Sequence, residues 1–135
     1  MKRNVIVANP NLTLKEASQV MVKFEIGSLV VTEDDKLVGI ITSTDILKCI
    51  AEGKDIEKTT IGSVMSKPVI TISPDEKIED AVNLMLKNKI KRLVVTEGNK
   101  IVGIITASDI ISIEPKLIEK LSQLLSVKLP GYSGG

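Results

Sequence analysis

Two stretches of this chain pass through the same order of apolar and polar positions. Each opens on a short apolar run, residues 5–7 or 69–72, and then a proline turn, Asn9-Pro10-Asn11 or Ser73-Pro74-Asp75. The side chains of that turn suit the start of a helix. Apolar residues then recur at helical spacing, with Leu14, Ala17 and Met21 on one face and Ile78, Ala81 and Met85 on the other copy's face, predicting helices to about Phe24 and Asn88. Two apolar strands follow in each stretch, joined by Glu33-Asp34-Asp35-Lys36 or Glu97-Gly98-Asn99-Lys100. The Gly-Asn pair gives the second hairpin the firmer turn signal. The second strand, residues 37–42 or 101–106, runs directly into another helix that begins near Ser43 or Ala107. The predicted fold class is α+β, with the order β-α-β-β-α occurring twice. Beyond it, Glu114-Pro115 opens a last amphipathic helix to about Val127, with Leu117, Leu121, Leu124 and Leu125 as its apolar side. That side suits either a contact with another molecule or a cap on the core.

The likeness of the two stretches is literal. At a shift of 64 residues, positions 12–47 fall on 76–111 without a gap and 17 of the 36 pairs are identical. Leu29-Val30-Val31-Thr32-Glu33 returns as Leu93-Val94-Val95-Thr96-Glu97, and Val38-Gly39-Ile40-Ile41-Thr42 returns as Val102-Gly103-Ile104-Ile105-Thr106. A tandem repeat of this kind buries its apolar faces by pairing copies. The expected organisation is a first repeat over residues 1–53, a linker with a short helical segment over 54–64, a second repeat over 65–113, and a helix with a Gly-rich tail over 114–135.

Composition narrows the chemistry. The 135 residues include no histidine and one cysteine, which removes histidine acid–base catalysis, mixed Cys/His metal sites and intrachain disulfides. Cys49 lies in an apolar helical stretch and reads as a small buried hydrophobe. The acidic run Glu33-Asp34-Asp35 reads as a solvated turn, so no nucleophile–base pair can be assembled and the chain is expected not to be an enzyme. A net charge of +1 gives no footprint for nucleic acid or an anionic membrane. No apolar run is long enough to span a bilayer, and the N-terminus lacks the pattern of a signal peptide, so the expected compartment is the cytoplasm. The Gly131-Tyr132-Ser133-Gly134-Gly135 end is linker-like, as a natural tail or a truncation would both be.

One polar motif recurs at the strand-to-helix junction, Gly39-Ile40-Ile41-Thr42-Ser43-Thr44-Asp45 and Gly103-Ile104-Ile105-Thr106-Ala107-Ser108-Asp109. It supports two readings. Hydroxyls and amides in the first turn of a helix attract phosphate, and a carboxylate one turn in accepts from a ribose diol. The same Thr-x-x-Asp is also a capping box, with Asp complementing the helix dipole.

The ordered motifs resemble cystathionine-β-synthase (CBS) domains, and the whole resembles a stand-alone CBS pair, or Bateman module. They are Val64-Met65-Ser66-Lys67-Pro68-Val69-Ile70-Thr71, Glu79-Asp80-Ala81, Lys91-Arg92-Leu93-Val94-Val95 and Gly103-Ile104-Ile105-Thr106-x-x-Asp109. The first copy matches with Lys15-Glu16-Ala17, Ser28-Leu29-Val30-Val31 and Gly39-Ile40-Ile41-Thr42-x-x-Asp45. The resemblance implies two repeats about a pseudo-twofold, with clefts for an adenosyl ligand such as AMP, ADP, ATP or S-adenosylmethionine, and no required cofactor or metal. It places Thr42, Thr44 and Asp45 in one cleft, and Thr106, Ser108 and Asp109 in the other. Arg92 would face phosphate in the second copy, where the first has Ser28, with Lys67 or Lys91 as a substitute cation. Ile26, Ile90, Val69 and Ile70 would hold the adenine. The Asp109 cleft is therefore expected to favour a phosphorylated ligand. The resemblance also implies a homodimer and regulation of a partner protein. The alternative is a dimeric scaffold that binds nothing small, which fits a chain with one Phe and one Tyr.

Overall fold

A computed structural model describes residues 5–125. The chain forms two compact units, residues 5–69 and, among the described residues, 70–125. The first contains β1 (Val7–Ala8), α1 (Leu14–Phe24), β2 (Ser28–Glu33), β3 (Lys36–Thr42), α2 (Ser43–Ala51) and the single turn α3 (Ile61–Val64). The second contains β4 (Thr71–Ile72), α4 (Ile78–Asn88), β5 (Arg92–Glu97), β6 (Lys100–Thr106) and α5 (Ala107–Ile113). A 3₁₀ turn (Pro115–Leu117) then leads to α6 (Ile118–Leu125). Each unit has a three-stranded sheet whose first strand runs parallel to the second and whose second and third are antiparallel. This is the α+β class, with the β-α-β-β-α order in both copies.

The registers of the two hairpins are the same, Glu33 opposite Lys36 and Glu97 opposite Lys100, although the turns are built differently. Asp34 and Asp35 both have positive φ, 52° and 62°, the sign pattern of a type I′ turn. In the second copy Gly98 carries positive φ at 62° and Asn99 does not, the pattern of type II′, which wants glycine first. Two aspartates thus reach the same connection that a glycine makes at lower steric cost. Both hairpins carry a register shift at the same place, after Val31 and after Val95.

Helix ends follow the apolar pattern, but their starts correct it. The side chain of Asn9 accepts the Asn11 N–H at 2.8 Å and that of Ser73 accepts the Asp75 N–H at 3.2 Å, so these residues close the proline turn rather than cap a helix. The cap of α1 is Thr13, whose Oγ1 accepts the Glu16 N–H at 3.1 Å while the Glu16 carboxylate accepts the Thr13 N–H at 3.0 Å. The Thr13 N–H and, beside it, the Thr13 hydroxyl donate to that carboxylate and lower the Glu16 pKa. Lys77 holds the same position in α4, where its side chain offers no acceptor and only the Asp80 half of the box forms, at 3.2 Å. The opening strands also begin later than the apolar runs suggest. Val5, Ile6, Val69 and Ile70 precede β1 and β4 because parallel pairing to the middle strand covers only two residues.

The core of the first unit gathers Leu14, Ala17, Met21, Leu29, Val31, Ile41, Ile46 and Cys49, with Ile61 from beyond the repeat. The stretch read as a linker is part of this packing. Its short helical segment is the single turn α3, and Ile61 is fully buried. Backbone groups tie it down: Leu14 N–H donates to Thr59 O at 2.9 Å, Ile61 N–H to Leu12 O at 2.8 Å and Gly62 N–H to Pro10 O at 2.9 Å. In the second unit, Leu121 of α6 is fully buried among Ala81, Val82, Met85 and Ile110, and Leu117, Leu124 and Leu125 pack beside it. The last helix therefore caps a core; its expected extension to Val127 lies outside the described residues.

Gly62 marks how closely the inter-repeat segment approaches. A Cβ there would lie 2.8 Å from Pro10 Cβ and 3.0 Å from its carbonyl oxygen. Gly62→Ala is expected to destabilise the chain by about 1–3 kcal/mol, read as a lower urea midpoint at unchanged slope.

Candidate functional site

The strand-to-helix turn of each unit is assembled from three parts of its repeat. Thr42 ends β3, and its Oγ1 accepts the Asp45 N–H at 3.1 Å while Asp45 Oδ2 accepts the Thr42 N–H at 2.9 Å. Thr106 and Asp109 make the same pair at 3.1 and 3.0 Å. The next amide in each turn reaches back to the residue before the middle strand: Ser43 N–H donates to Gly27 O and Ala107 N–H to Lys91 O, both at 2.9 Å. The capping box is therefore realised in both copies. It consumes most of the first-turn donors and leaves the Thr44 and Ser108 amides as those without an acceptor among the described residues.

This geometry sharpens the two readings of Thr-x-x-Asp. Each aspartate spends one oxygen on the cap, and its other oxygen has no hydrogen bond among the described residues. Asp45 and Asp109 are half-buried, whereas Thr44 and Ser108 are exposed. A rigid carboxylate with one oxygen committed and one available, beside an exposed hydroxyl and an amide, can accept from a diol and donate to an anion.

The hairpin register sets what stands across from each cap. Thr106 pairs with Arg92, and Thr42 pairs with Ser28. The second turn thus has a half-buried arginine opposite its capping threonine in register, already engaged with other groups of the protein, and the first has a serine there. Ile26 and Ile90 are fixed by the helix that precedes them. Glu25 and Lys89 adopt left-handed φ of 53° and 54°, and the next amides return to the helix, Ile26 N–H to Met21 O and Ile90 N–H to Met85 O, each at 3.0 Å. This is the Schellman arrangement, and both isoleucines pack on their unit's core.

The structure thus brings Ile26, Thr42, Thr44 and Asp45 to one end of the first unit, and Ile90, Arg92, Thr106, Ser108 and Asp109 to the matching end of the second. Lys67 is exposed and follows Ser66, whose backbone pairs with Ile40 in β3. No hydrogen bond or ion pair among the described residues joins Lys67 to the Asp45 turn. Val69 closes the first unit and Ile70 begins the second, both half-buried. The carbonyls of Gly27 and Lys91, which hold the turns in place, carry no side-chain signal and were legible only as the residues preceding a strand.

The family model of the CBS domain matches residues 1–52 and again 61–116, and the chain belongs to the CBS domain family, with two copies in tandem. An uncharacterised protein of Methanopyrus kandleri is 37% identical over 125 residues, covering 90% of this chain and 64% of that protein, so the chain spans less than two thirds of this relative. A conserved CBS domain protein of unknown function from Thermoplasma acidophilum superposes with a TM-score of 0.83 at 26% identity, covering 95% of this chain and 74% of the other. The CBS domain pair of protein MJ0100, solved in complex with 5′-methylthioadenosine and S-adenosyl-L-methionine, superposes with a TM-score of 0.77 at 33% identity, covering 86% and 92%. Among the described residues no helix is long and apolar enough to cross a membrane.

The two capping pairs should contribute measurably to stability. Thr42→Ala and Thr106→Ala are each expected to cost about 0.5–2 kcal/mol in urea unfolding. Asp45→Asn and Asp109→Asn, which keep an acceptor oxygen for the threonine amide, should cost less than the alanine variants of the same aspartates.

Proposed function

We propose that this chain is a non-catalytic regulatory module that senses an adenosyl ligand, AMP, ADP, ATP or S-adenosylmethionine, at its two strand-to-helix turns. The observation that carries this reading is the available oxygen of Asp109, held by its cap next to Ser108, on a turn whose Thr106 pairs in register with Arg92. The complex of the MJ0100 pair with two adenosyl compounds supports the ligand class. Asp45 and Asp109 hold ribose hydroxyls in this reading; Thr42, Thr44, Thr106 and Ser108 reach ribose or phosphate oxygens. Ile26, Ile90, Val69 and Ile70 supply aliphatic contacts to the base, and Lys67 an outlying positive charge. Because Arg92 pairs with Thr106 where Ser28 pairs with Thr42, the second turn takes the phosphorylated ligand and the first a less charged one. Neither turn presents a nucleophile with a base, which favours sensing over turnover.

Regulation requires the ligand to prefer one of two states. A homodimer is the simplest carrier of such states, and exposed apolar side chains on the first unit's helices favour it: Val22 is 78% exposed, Leu47 63% and Ile50 50%. These side chains would serve equally in a scaffold that binds no nucleotide, the second reading, which the scarcity of aromatic rings for stacking on adenine also suits.

Thermal unfolding with each ligand discriminates the two. A ligand at a hundredfold its Kd adds about 2.7 kcal/mol and raises Tm by roughly 5–10 °C. Asp109→Asn and Arg92→Ala should abolish the shift with phosphorylated ligands, and Asp45→Asn the shift with S-adenosylmethionine. Absence of a shift with every ligand leaves the scaffold reading, and shifts that survive these substitutions put the ligand away from the two turns and overturn the assignment of these residues. Sedimentation of Leu47→Glu/Ile50→Glu should show a monomer where the parent chain is a dimer.

A further inference from the structure

The segment that follows α2 is fastened to the rest of the first unit at two places. At one, Thr59 O accepts the Leu14 amide at 2.9 Å and the Ile61 amide donates to Leu12 O at 2.8 Å, with the Ile61 side chain fully buried. At the other, Ser66 lies beside β3 and exchanges two backbone bonds with Ile40. Ile40 N–H donates to Ser66 O at 3.1 Å and Ser66 N–H to Ile40 O at 2.9 Å. The first fastening is anchored by an isoleucine inside the core. The second is anchored by Met65, which is half-buried and packs on the edge of that core.

Met65 is held in a notch. Gly39 of β3 has no side chain, and the thioether of Met65 occupies the space where a Cβ would stand. The sulfur is the atom nearest to that position, with Met65 Cγ at 2.7 Å and Cε at 3.0 Å from it. Three amides around the notch are already committed. Met65 N–H donates to Ile61 O at 2.8 Å, and Ile40 and Ser66 donate to each other's carbonyls. An oxygen placed on this sulfur therefore finds no donor among the three and no room toward Gly39. The other described methionines are differently placed: Met21 is 5% exposed and Met85 fully buried, each inside its unit's core. Cys49, the other sulfur of the first core, is buried as well.

We propose that Met65 is a reversible oxidation site whose sulfoxide releases residues 65–66 from β3. The oxidant is a peroxide. A sulfur lone pair attacks one peroxide oxygen, the S–O bond forms as the O–O bond breaks, and the departing hydroxide takes up the displaced proton and leaves as water. Sulfur loses two electrons and the peroxide gains them. A dithiol reductant returns the thioether, forming a disulfide and water. The sulfoxide is polar and gains more from water than from the notch, and an unbranched side chain can swing out while Ile61 stays in the core. The Ser66–Ile40 pairing then loses the side chain that holds this segment against the strand. Ile40 stands two residues before Thr42 in β3, yet the release needs no ligand, so this inference stands apart from the adenosyl reading.

The full chain is treated with limiting hydrogen peroxide, and oxidation at each methionine is followed by mass spectrometry of its peptides. Met65 is expected to oxidise at least tenfold faster than Met21 and Met85. In the oxidised protein the Ile40 and Ser66 amides should exchange with deuterium at least tenfold faster, while the α1 amides keep their rates. Methionine sulfoxide reductase with a dithiol should restore slow exchange. Met65→Leu keeps an apolar contact without a sulfur, and its Ile40 and Ser66 amides should be indifferent to peroxide. Gly39→Ala, which fills the notch with a methyl group, should accelerate the same two amides with no oxidant present. The proposal is overturned if Met65 oxidises no faster than the two core methionines, or if its sulfoxide leaves Ile40 and Ser66 exchange unchanged. Equal acceleration by peroxide in the Met65→Leu protein would also overturn it, assigning the effect to Met1 or Cys49.

Discussion

The amide of the first helical residue after the third strand donates to the carbonyl just before the middle strand, Ser43 to Gly27 and Ala107 to Lys91. This single bond determines much of what each repeat can be. The hairpin ends with its two strands level, so the helix leaving one strand is pinned to the chain entering the other. The Schellman turn then fixes that entering chain to the end of the preceding helix through Ile26 or Ile90. Helix, hairpin and helix are joined at one corner by main-chain groups, whatever the side chains are. The corner is consequently the part of the repeat where a polar side chain can be held still, and the aspartate of the capping box sits in it.

Much of this was legible in the sequence because it is local. The hairpins, the helix ends at Phe24 and Asn88, the junctions at Thr42 and Thr106 and the burial of Cys49 follow from periodicity and turn residues. The helix starts were misread where the obvious polar residues, Asn9 and Ser73, had a closer use in their own turn. The docking of residues 56–66 left no local trace: an amide bonded to a carbonyl about 45 residues away looks like any other amide. For α6, the sequence showed an apolar stripe without its destination, and only the buried Leu121 assigns it to the core.

At the candidate site the same division applies. The Thr-x-x-Asp motif is visible twice, and its capping geometry is now explicit, but the cap and a ligand role use different oxygens of one carboxylate and do not compete. What separates the copies is the residue across the hairpin. An arginine opposite one cap and a serine opposite the other is an asymmetry of residues at one shared register, readable in principle from the alignment of hairpin positions and certain only once the pairing is known.

The Met65 side chain lies against Gly39, at a distance that a methyl group in place of the glycine hydrogen would violate. Yet by the 64-residue shift, Met65 opens the second copy and Gly39 belongs to the first. The stretch of sequence that was duplicated and the stretch that packs together are therefore out of phase by a few residues. A gene fragment cut at the boundary of similarity would carry the first repeat away without the segment that completes its core. The boundaries of inheritance and of folding do not coincide in this chain, and each repeat is whole only in the presence of sequence that the alignment assigns elsewhere.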